Sequence, residues 1–531
     1  MQRDNNRYNL PESWLWTTIG EIAVLSSGGT PNRSNYSYFK GDIPWVKSGE
    51  LNYNVILDTE EKISRKALEI SGAKIIPANS LLIALYGSTV GKLATLGIPA
   101  ATNQAVAAII TTKSVNKRFL FYYLIKNREM LLQKRIGGAQ SNISQKILIE
   151  FSFPLPPLKE QNQIVEKVEE FFSELDHAEK ILNKSQKQLE IYKYALLKKA
   201  FDGGLTKKWR KSQIEEKSNQ LKDFKNNFEW VEKKIEDCVS FIGSGSTPKG
   251  GRNVYQNKGI PFIRSQNVYN NKLVLNDLVY ITTETNDKMS RTKIEPKDVL
   301  LNITGSSIGR CTFVPNSFLV GNVNQHVCII RVLHDDIYYK YLSFFLSSPI
   351  AQIHIKSINS GATREALTLN QIKNIKLPLC TYSEQIQISE ELESRFTLIE
   401  NLENEIRVAL RKIILFRHTI LKKAYEGKLV QQVLTDVSAN LLLKQIQFEK
   451  NDYLNSIKNV ATLKSNKKDY METRKTIVEI LNEIKEPISS AELWQKSTHE
   501  GDIEGFYTEL KEIYDLLNEI KKDTTSFISL K

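Results

Sequence analysis

Three kinds of residue in this 531-residue chain could do chemistry. The first is Gly87-Ser-Thr-Val-Gly-Lys92-Leu93, which has the outline of a phosphate loop. Three residues instead of four separate its glycines, and Leu93 stands where a magnesium-binding Ser or Thr is required, so it is not read as a nucleotide site. A turn between strands fits better, with Lys92 aimed at a phosphate. The second kind is a set of polar residues in Gly- and Asn-rich loops: Arg33, Lys40, Lys47 and Lys92 early in the chain, and Lys249, Arg252, Lys258, Arg264 and Arg310 later. The loops Gly138-Ala-Gln-Ser-Asn142 and Gly361-Ala-Thr-Arg364 add Gln140, Asn142 and Arg364. Lys and Arg suit phosphates, Arg suits guanine edges, and Asn and Gln suit adenine edges. For any one of them a solvated surface residue is the simpler reading.

The third kind would be catalytic, and the motifs are missing. The six histidines form no HExxH pair, and His326 beside Gln325 reads as a core or loop histidine. Cys238, Cys311, Cys328 and Cys380 form no CxxC pair, so neither a zinc ribbon nor a disulfide framework is indicated. Leu155-Pro156-Pro157-Leu158 lacks the polar and aromatic flanks of an adenine-methyltransferase motif. There is no Gly-rich S-adenosylmethionine loop, helicase motif or nuclease carboxylate set. The chain is therefore expected not to be an enzyme, with no catalytic residue, metal or cofactor of its own.

Composition narrows the setting. Hydrophobic residues make up 41% and charged residues 25%, enough to bury sizeable cores. The N-terminal MQRDNNRYNL has no signal-peptide core, and no apolar run nears the roughly 18 residues of a membrane helix. A cytoplasmic location is expected. The net charge of +13 points to a polyanionic partner, although Lys-rich coding bias would produce the same number.

The elements that must position these residues occur twice. Gly29-Thr30-Pro31 and Ile43-Pro44-Trp45 match Ser246-Thr247-Pro248 and Ile260-Pro261-Phe262, 217 residues apart. Gly87–Lys92 matches Gly305–Arg310, and Asn103-Gln104 matches Asn324-Gln325. Phe153-Pro154-Leu155, Glu160-Gln161 and Leu197-Lys-Lys-Ala-Phe-Asp-Gly203 recur at Leu377-Pro378-Leu379, Glu384-Gln385 and Leu421-Lys-Lys-Ala-Tyr-Glu-Gly427. This is a tandem duplication. Each unit opens with short β-branched and aromatic runs between turn signals (Ile19–Leu25, Pro44–Lys47, Ser80–Leu85, Ala105–Thr111) and a helix over Arg118–Lys134.

Each unit closes with a long helix, over 161–200 and 385–424. Ile164, Val168, Phe171, Leu175, Leu182, Leu189 and Leu196, with Tyr192 among them, recur at coiled-coil steps. Ile388, Leu392, Ile399, Leu402, Ile406, Ile413 and Ile420, with Phe416, do the same, and Arg395 interrupts the seam. Each seam needs a partner, and the other copy is the obvious one. Antiparallel packing would make a rod with a head at each end, related by pseudo-twofold symmetry. Two related basic heads on a stiff spacer suit a split, asymmetric duplex DNA site.

Carrying these motifs in duplicate and in order, residues 10–430 resemble the specificity subunits of type I restriction–modification systems. The resemblance implies a DNA-sequence specificity subunit with recognition domains that read two half-sites of double-stranded DNA. It implies helices that act as ruler and as docking surface for two methyltransferase subunits, within a complex that adds two motor-nuclease subunits. S-adenosylmethionine, ATP and magnesium would sit on those partners. The rivals are a stand-alone bipartite DNA-binding regulator and a coiled-coil scaffold that does not bind DNA.

The expected fold class is α+β: two strand-rich recognition domains in tandem, two long antiparallel helices and a small helical C-terminal unit. The boundaries expected are 1–155 and 206–380 for the recognition domains, 156–205 and 381–430 for the helices, 431–470 for a linker with some helix, and 471–531 for the tail. In the tail, Ser489-Ser-Ala-Glu492 reads as a capping box, and Phe506, Leu510, Ile513, Leu517 and Ile520 line a helix. The tail resembles a winged-helix-like appendage, for which DNA binding and protein docking are both open.

Overall fold

The computed structural model describes the chain outside residues 1–7, 135–141, 221–228, 249, 251–253, 319, 334–335, 360–365, 433–437, 473–474, 500–501 and 523–524. The chain divides into two compact units, Met1–Ser173 with Phe416–Lys531, and Glu174–Leu415.

The first unit is built on two sheets. One runs in the order Ala23–Ser27, Val106–Thr111, Leu81–Ala84, Leu93–Leu96, Val55–Ile56, and the other in the order Glu61–Ile63, Ile43–Val46, Ala101–Thr102. A separate antiparallel pair, Leu15–Thr18 with Ser152–Leu155, closes the head by joining its first strand to its last. The second unit repeats the plan. Its larger sheet runs Val239–Ser244, Val327–Val332, Val299–Asn302, Cys311–Phe313, and its smaller one Val279–Ile281, Ile260–Ile263, Asn322–Val323. Val231–Lys234 pairs with Lys376–Leu379 as the closing ribbon. The central strands are buried along their length, as Leu81–Ala84 and Val299–Asn302 show, because both faces are covered.

Local chemistry moved some elements from their expected places. The run Ile19–Leu25 does not form one strand. Thr18 and Glu21 make a capping box that turns Ile19–Ile22 into a helical turn, and the strand starts at Ala23. The helix expected over Arg118–Lys134 is two helices, Lys117–Lys126 and Arg128–Gln133, broken at buried Asn127, whose side-chain amide donates to the Tyr123 carbonyl at 2.9 Å.

The long helices span Leu158–Phe201 and Tyr382–Tyr425, 44 residues or roughly 66 Å each. Each begins in one unit and ends in the other. In the first unit, Ile164 and Val168 share a core with Leu421, Ala424 and Tyr425. Tyr425 stacks on Phe119 and Tyr123 and donates its hydroxyl to the Phe119 carbonyl at 2.6 Å. In the second unit, Leu196, Leu197, Ala200 and Phe201 share a core with Ile388 and Leu392. In the first unit the two helical segments run antiparallel: Arg417 lies over Phe172, while Ile164 and Val168, nearer the start of the first helix, share a core with Ala424 and Tyr425 at the end of the second.

Ile164, Val168, Leu196, Ile388, Leu392, Ile399 and Ile413 are buried, while Phe171, Leu175, Leu182, Leu189, Ile406 and Ile420 are half-buried. Leu402 is a correction: it is 52% exposed, and Glu403 turns inward to meet Lys193 at 2.8 Å. Tyr192 and Phe416 also lie exposed. Arg395 is held by Glu391 and donates to the Tyr192 hydroxyl at 3.0 Å.

The segment expected as a linker is largely one helix, Ala439–Glu472. Leu442 and Ile446 enter the core of the first head, Glu449 accepts from the Ser114 backbone and hydroxyl at 3.2 and 2.6 Å, and Lys450 donates to the Gly20 carbonyl. Beyond it lie helices Ile477–Ile484, Ser490–Lys496 and Ile503–Glu512 around Leu481, Leu493 and Phe506. The tail also holds a sheet. Leu517 and Ile520 do not continue a helix; Leu517–Lys522 pairs with Thr525–Leu530, which in turn pairs with Ile488–Ser489. A spacing of three puts both residues on one helix face, whereas in the strand they point to opposite faces, Leu517 buried and Ile520 exposed; the β-branched and aromatic partner strand decided it.

Candidate nucleic-acid interface

The described candidate residues lie in two places in each head: around the hairpin loop of the larger sheet, and on the smaller sheet with the loop that leads into it. The hairpin loop Gly87–Lys92 joins strands Leu81–Ala84 and Leu93–Leu96, and Gly305–Arg310 joins their counterparts. Gly87, Gly91, Gly305 and Gly309 all have φ between +70° and +86°, a region that favours glycine. A strand follows each loop where a nucleotide-binding loop would feed a helix N-terminus. The loop backbones are tied down, by Arg128 donating to the Val90 carbonyl at 2.9 Å and by Gln352 donating to the Gly309 carbonyl at 2.7 Å.

The candidate residues of the first head are largely engaged. Arg33 pairs with Glu61 at 2.6 Å and its guanidinium lies over the rings of Phe39 and Trp45. Lys47 reaches Glu60 at 2.8 Å and Glu61 at 3.0 Å, and those bonds hold its pKa above the usual lysine value. Burial works to raise the Glu61 carboxyl, but its bonds from Lys47 and Arg33 prevail and hold it below the usual range. Lys92 donates to the Asn52 side chain at 3.1 Å, and Lys40 lies exposed over the Tyr36 ring. Asn142 is exposed, next to buried Ile143, which donates its backbone N–H to the Leu85 carbonyl.

In the second head Arg264 donates to the Asp277 backbone carbonyl at 3.0 Å and faces the Tyr255 ring, Arg310 lies over the Tyr269 ring, and Lys258 is exposed. Gln140, Lys249, Arg252 and Arg364 lie outside the described residues.

Two sets of residues that composition and charge did not single out organise these heads. The repeated Glu-Gln at the start of each long helix is wholly buried. The Gln161 side-chain oxygen accepts from the Asn116 backbone N–H at 2.8 Å, and that of Gln385 does the same for Tyr338, so each glutamine fixes its long helix to the helix beginning at that point in its own head. Glu160 accepts from the neutral amide of Gln432 at 2.8 Å. Burial raises its carboxyl above the usual range. Glu384 instead accepts from Thr206 at 2.6 Å and from the Arg210 guanidinium at 2.7 Å. The signal was present in the sequence as an exact repeat, but a polar pair reads as surface until burial is known. The second set is the Asn-Gln turn at the head of strands Val106–Thr111 and Val327–Val332. Asn103 and Asn324 cap it by accepting from the Ala105 and His326 backbones at 3.2 and 3.1 Å. His326 is half-buried and bridges Thr304 and Gln325.

The four cysteines are buried free thiols, and no described helix is long and apolar enough to cross a membrane.

Residues 11–187 and 227–410 each match the type I restriction modification DNA specificity domain. The chain is 25% identical over 468 residues to the EcoBI specificity subunit of Escherichia coli, covering 85% of this chain and 95% of that one. It is 25% identical to the MjaIX specificity subunit of Methanocaldococcus jannaschii, covering 79% and 94%. It is 30% identical to the Escherichia coli EcoR124I/EcoR124II specificity subunit over 162 residues, 29% of this chain and 40% of that one. Among solved structures, a chain from a study of assembly and conformational transition in a type I restriction–modification system aligns with a TM-score of 0.61 at 18% identity, over 80% of this chain and all of that one. The HsdS subunit of Thermoanaerobacter tengcongensis aligns at 0.51 and 16%, over the same shares. These likenesses show a shared fold. Since the two matched segments are the two heads with their adjoining helices and together cover more than half of the chain, the protein belongs to the type I restriction–modification DNA specificity family.

Proposed function

We propose that this chain reads a bipartite, asymmetric site in double-stranded DNA, one half-site per head, and carries that specificity to catalytic partners without catalysing a reaction itself. The observation that carries the reading is one head topology occurring twice, each copy with its own long helix and its own loop chemistry. The shared frame supports reading two sites in the same manner, and the divergent loops support reading different bases in each.

The partners in this reading are two methyltransferase subunits and two motor-nuclease subunits, which would bring S-adenosylmethionine, ATP and magnesium, in the cytoplasm. Docking is supported by apolar side chains that the chain leaves uncovered along its long helices: Ile181, Ile191 and Tyr194 on the first, Leu398, Ile414 and Leu415 on the second. Helices of this length would also serve as the spacer between half-sites. The basic loops Arg33, Lys40, Lys92, Lys258 and Arg310 are the proposed backbone and base contacts.

Methylation sequencing of a host genome with and without this gene tests the proposal. The expected result is loss of adenine methylation at one split, asymmetric motif. An unchanged methylome in a host that expresses the partner genes would favour a regulator or a scaffold.

A further inference from the structure

The Asn-Gln turn is built the same way in both heads and presents one outward side chain. Asn103 and Asn324 donate their backbone N–H groups to Val46 and Ile263 at 2.9 and 3.0 Å, and their carbonyls accept from Val106 and Val327. Their side chains cap the turn. The loop before the repeated Thr-Pro packs directly on it: a Cβ on Gly28 would stand 2.4 Å from the Asn103 carbonyl oxygen and one on Gly245 2.7 Å from that of Asn324, so only glycine allows the approach. Asparagine, glycine and backbone thus do the structural work. Gln104 and Gln325 are exposed.

The amide of Gln325 is nevertheless oriented. Gln104 lies beside the Tyr86 hydroxyl. Gln325 accepts from Thr247 and donates to His326 Nε2 at 3.0 Å, which leaves Nδ1–H of His326 to donate to Thr304 at 2.5 Å. In the first head Thr30, the match of Thr247, has a buried hydroxyl with no partner among the described residues, and Ala105 stands in place of His326. An exposed amide held in one orientation on a rigid turn is suited to a planar, two-point partner, and the adenine edge offers one donor and one acceptor to it.

We infer that Gln104 and Gln325 are base-reading residues, each facing the equivalent position of its half-site, and that both select adenine there, while the unequal neighbours Tyr86 and Ala105 against Thr304 and His326 separate the adjoining position. The inference rests on the proposed DNA reading and sharpens it to one side chain per head.

The test uses the full chain assembled with its methyltransferase partner and a pool of randomised duplexes from which bound sequences are recovered. Wild-type protein should select a bipartite motif. Gln325→Ala should melt at the wild-type temperature and lose discrimination at one position of one half-site by about 5- to 150-fold, with the other half unchanged. Gln104→Ala should do the same in the other half. Gln325→Glu should shift that position toward cytosine, whose amino group donates to a carboxylate. Preferences retained at every position in both Ala variants would overturn the inference. So would a uniform loss of affinity across all sequences, which marks a phosphate contact. Failure of the wild-type protein to select any motif would overturn the DNA reading itself, and this inference with it.

Discussion

The two heads share a frame and differ in charge. Lys47 and Arg264 occupy matching positions, and each has its backbone N–H capped by the side chain three residues on, Glu50 at 2.8 Å and Asn267 at 3.0 Å. Opposite Trp45 in the first head stands Glu61, which gathers Arg33 and Lys47. Opposite Phe262 in the second stands Val279, and Arg264 is left with a neutral carbonyl. The same contrast recurs at the helix starts, in reverse: Glu160 meets a neutral amide, Glu384 a guanidinium. Duplication preserved hydrogen-bonding positions and let the charges on them drift. Backbone capping constrains the fold, whereas a charge at the rim can change with its surroundings.

The largest expected effect tests whether the heads are separate readers. Exchanging residues 13–155 for those of a relative should rewrite one half of the methylated motif and leave the other intact, as read by methylation sequencing. A change in both halves would break the comparison.

The next sets the two buried glutamates against each other. Arg210→Ala leaves Glu384, which is 0% exposed, with Thr206 as its remaining side-chain partner, and should cost about 3 kcal/mol or more in denaturant unfolding followed by a probe in the second unit. Gln432→Ala, which removes a neutral donor from Glu160, should cost about 1 kcal/mol.

A smaller effect concerns DNA. Glu61→Gln should release Arg33 and leave Lys47 with Glu60, so that binding to non-specific duplex tightens and the slope of log K against log salt steepens by about 1. An unchanged slope would mean that Arg33 faces away from the phosphates.

The smallest is a pH effect. Burial raises the carboxyl of Glu160, so its neutral form favours the folded state. That stabilisation is present below the ordinary carboxyl range and is lost as pH rises through the raised value. Glu160→Gln is neutral throughout. Its stability relative to wild type should therefore improve from acid toward neutral pH, by less than the Arg210→Ala loss. A flat difference between pH 4 and 8 would show that burial does not control this carboxyl.

Much of the frame was legible in the sequence. The repeated Gly-Thr-Pro and Ile-Pro segments, the strand runs at Leu81–Ala84 and Val106–Thr111 and the two apolar seams are local patterns with a fixed period. The seam was legible as a period but less so at each residue: counting heptads placed Leu402 inward, where Glu403 turns in to meet Lys193. The tail sheet was missed because Leu517 and Ile520 fit a helix until the strand Thr525–Leu530 is there to pair with them.

By itself the sequence determined the duplication, the α+β class, the long helices and the places where loops carry polar residues, because each depends on residue types within a short window. Tertiary structure alone decided which of those residues are free. Lys47 and Glu61 lie fourteen residues apart, Glu384 and Arg210 more than a hundred, and whether a charge is paired, buried or exposed depends on what the fold brings to it.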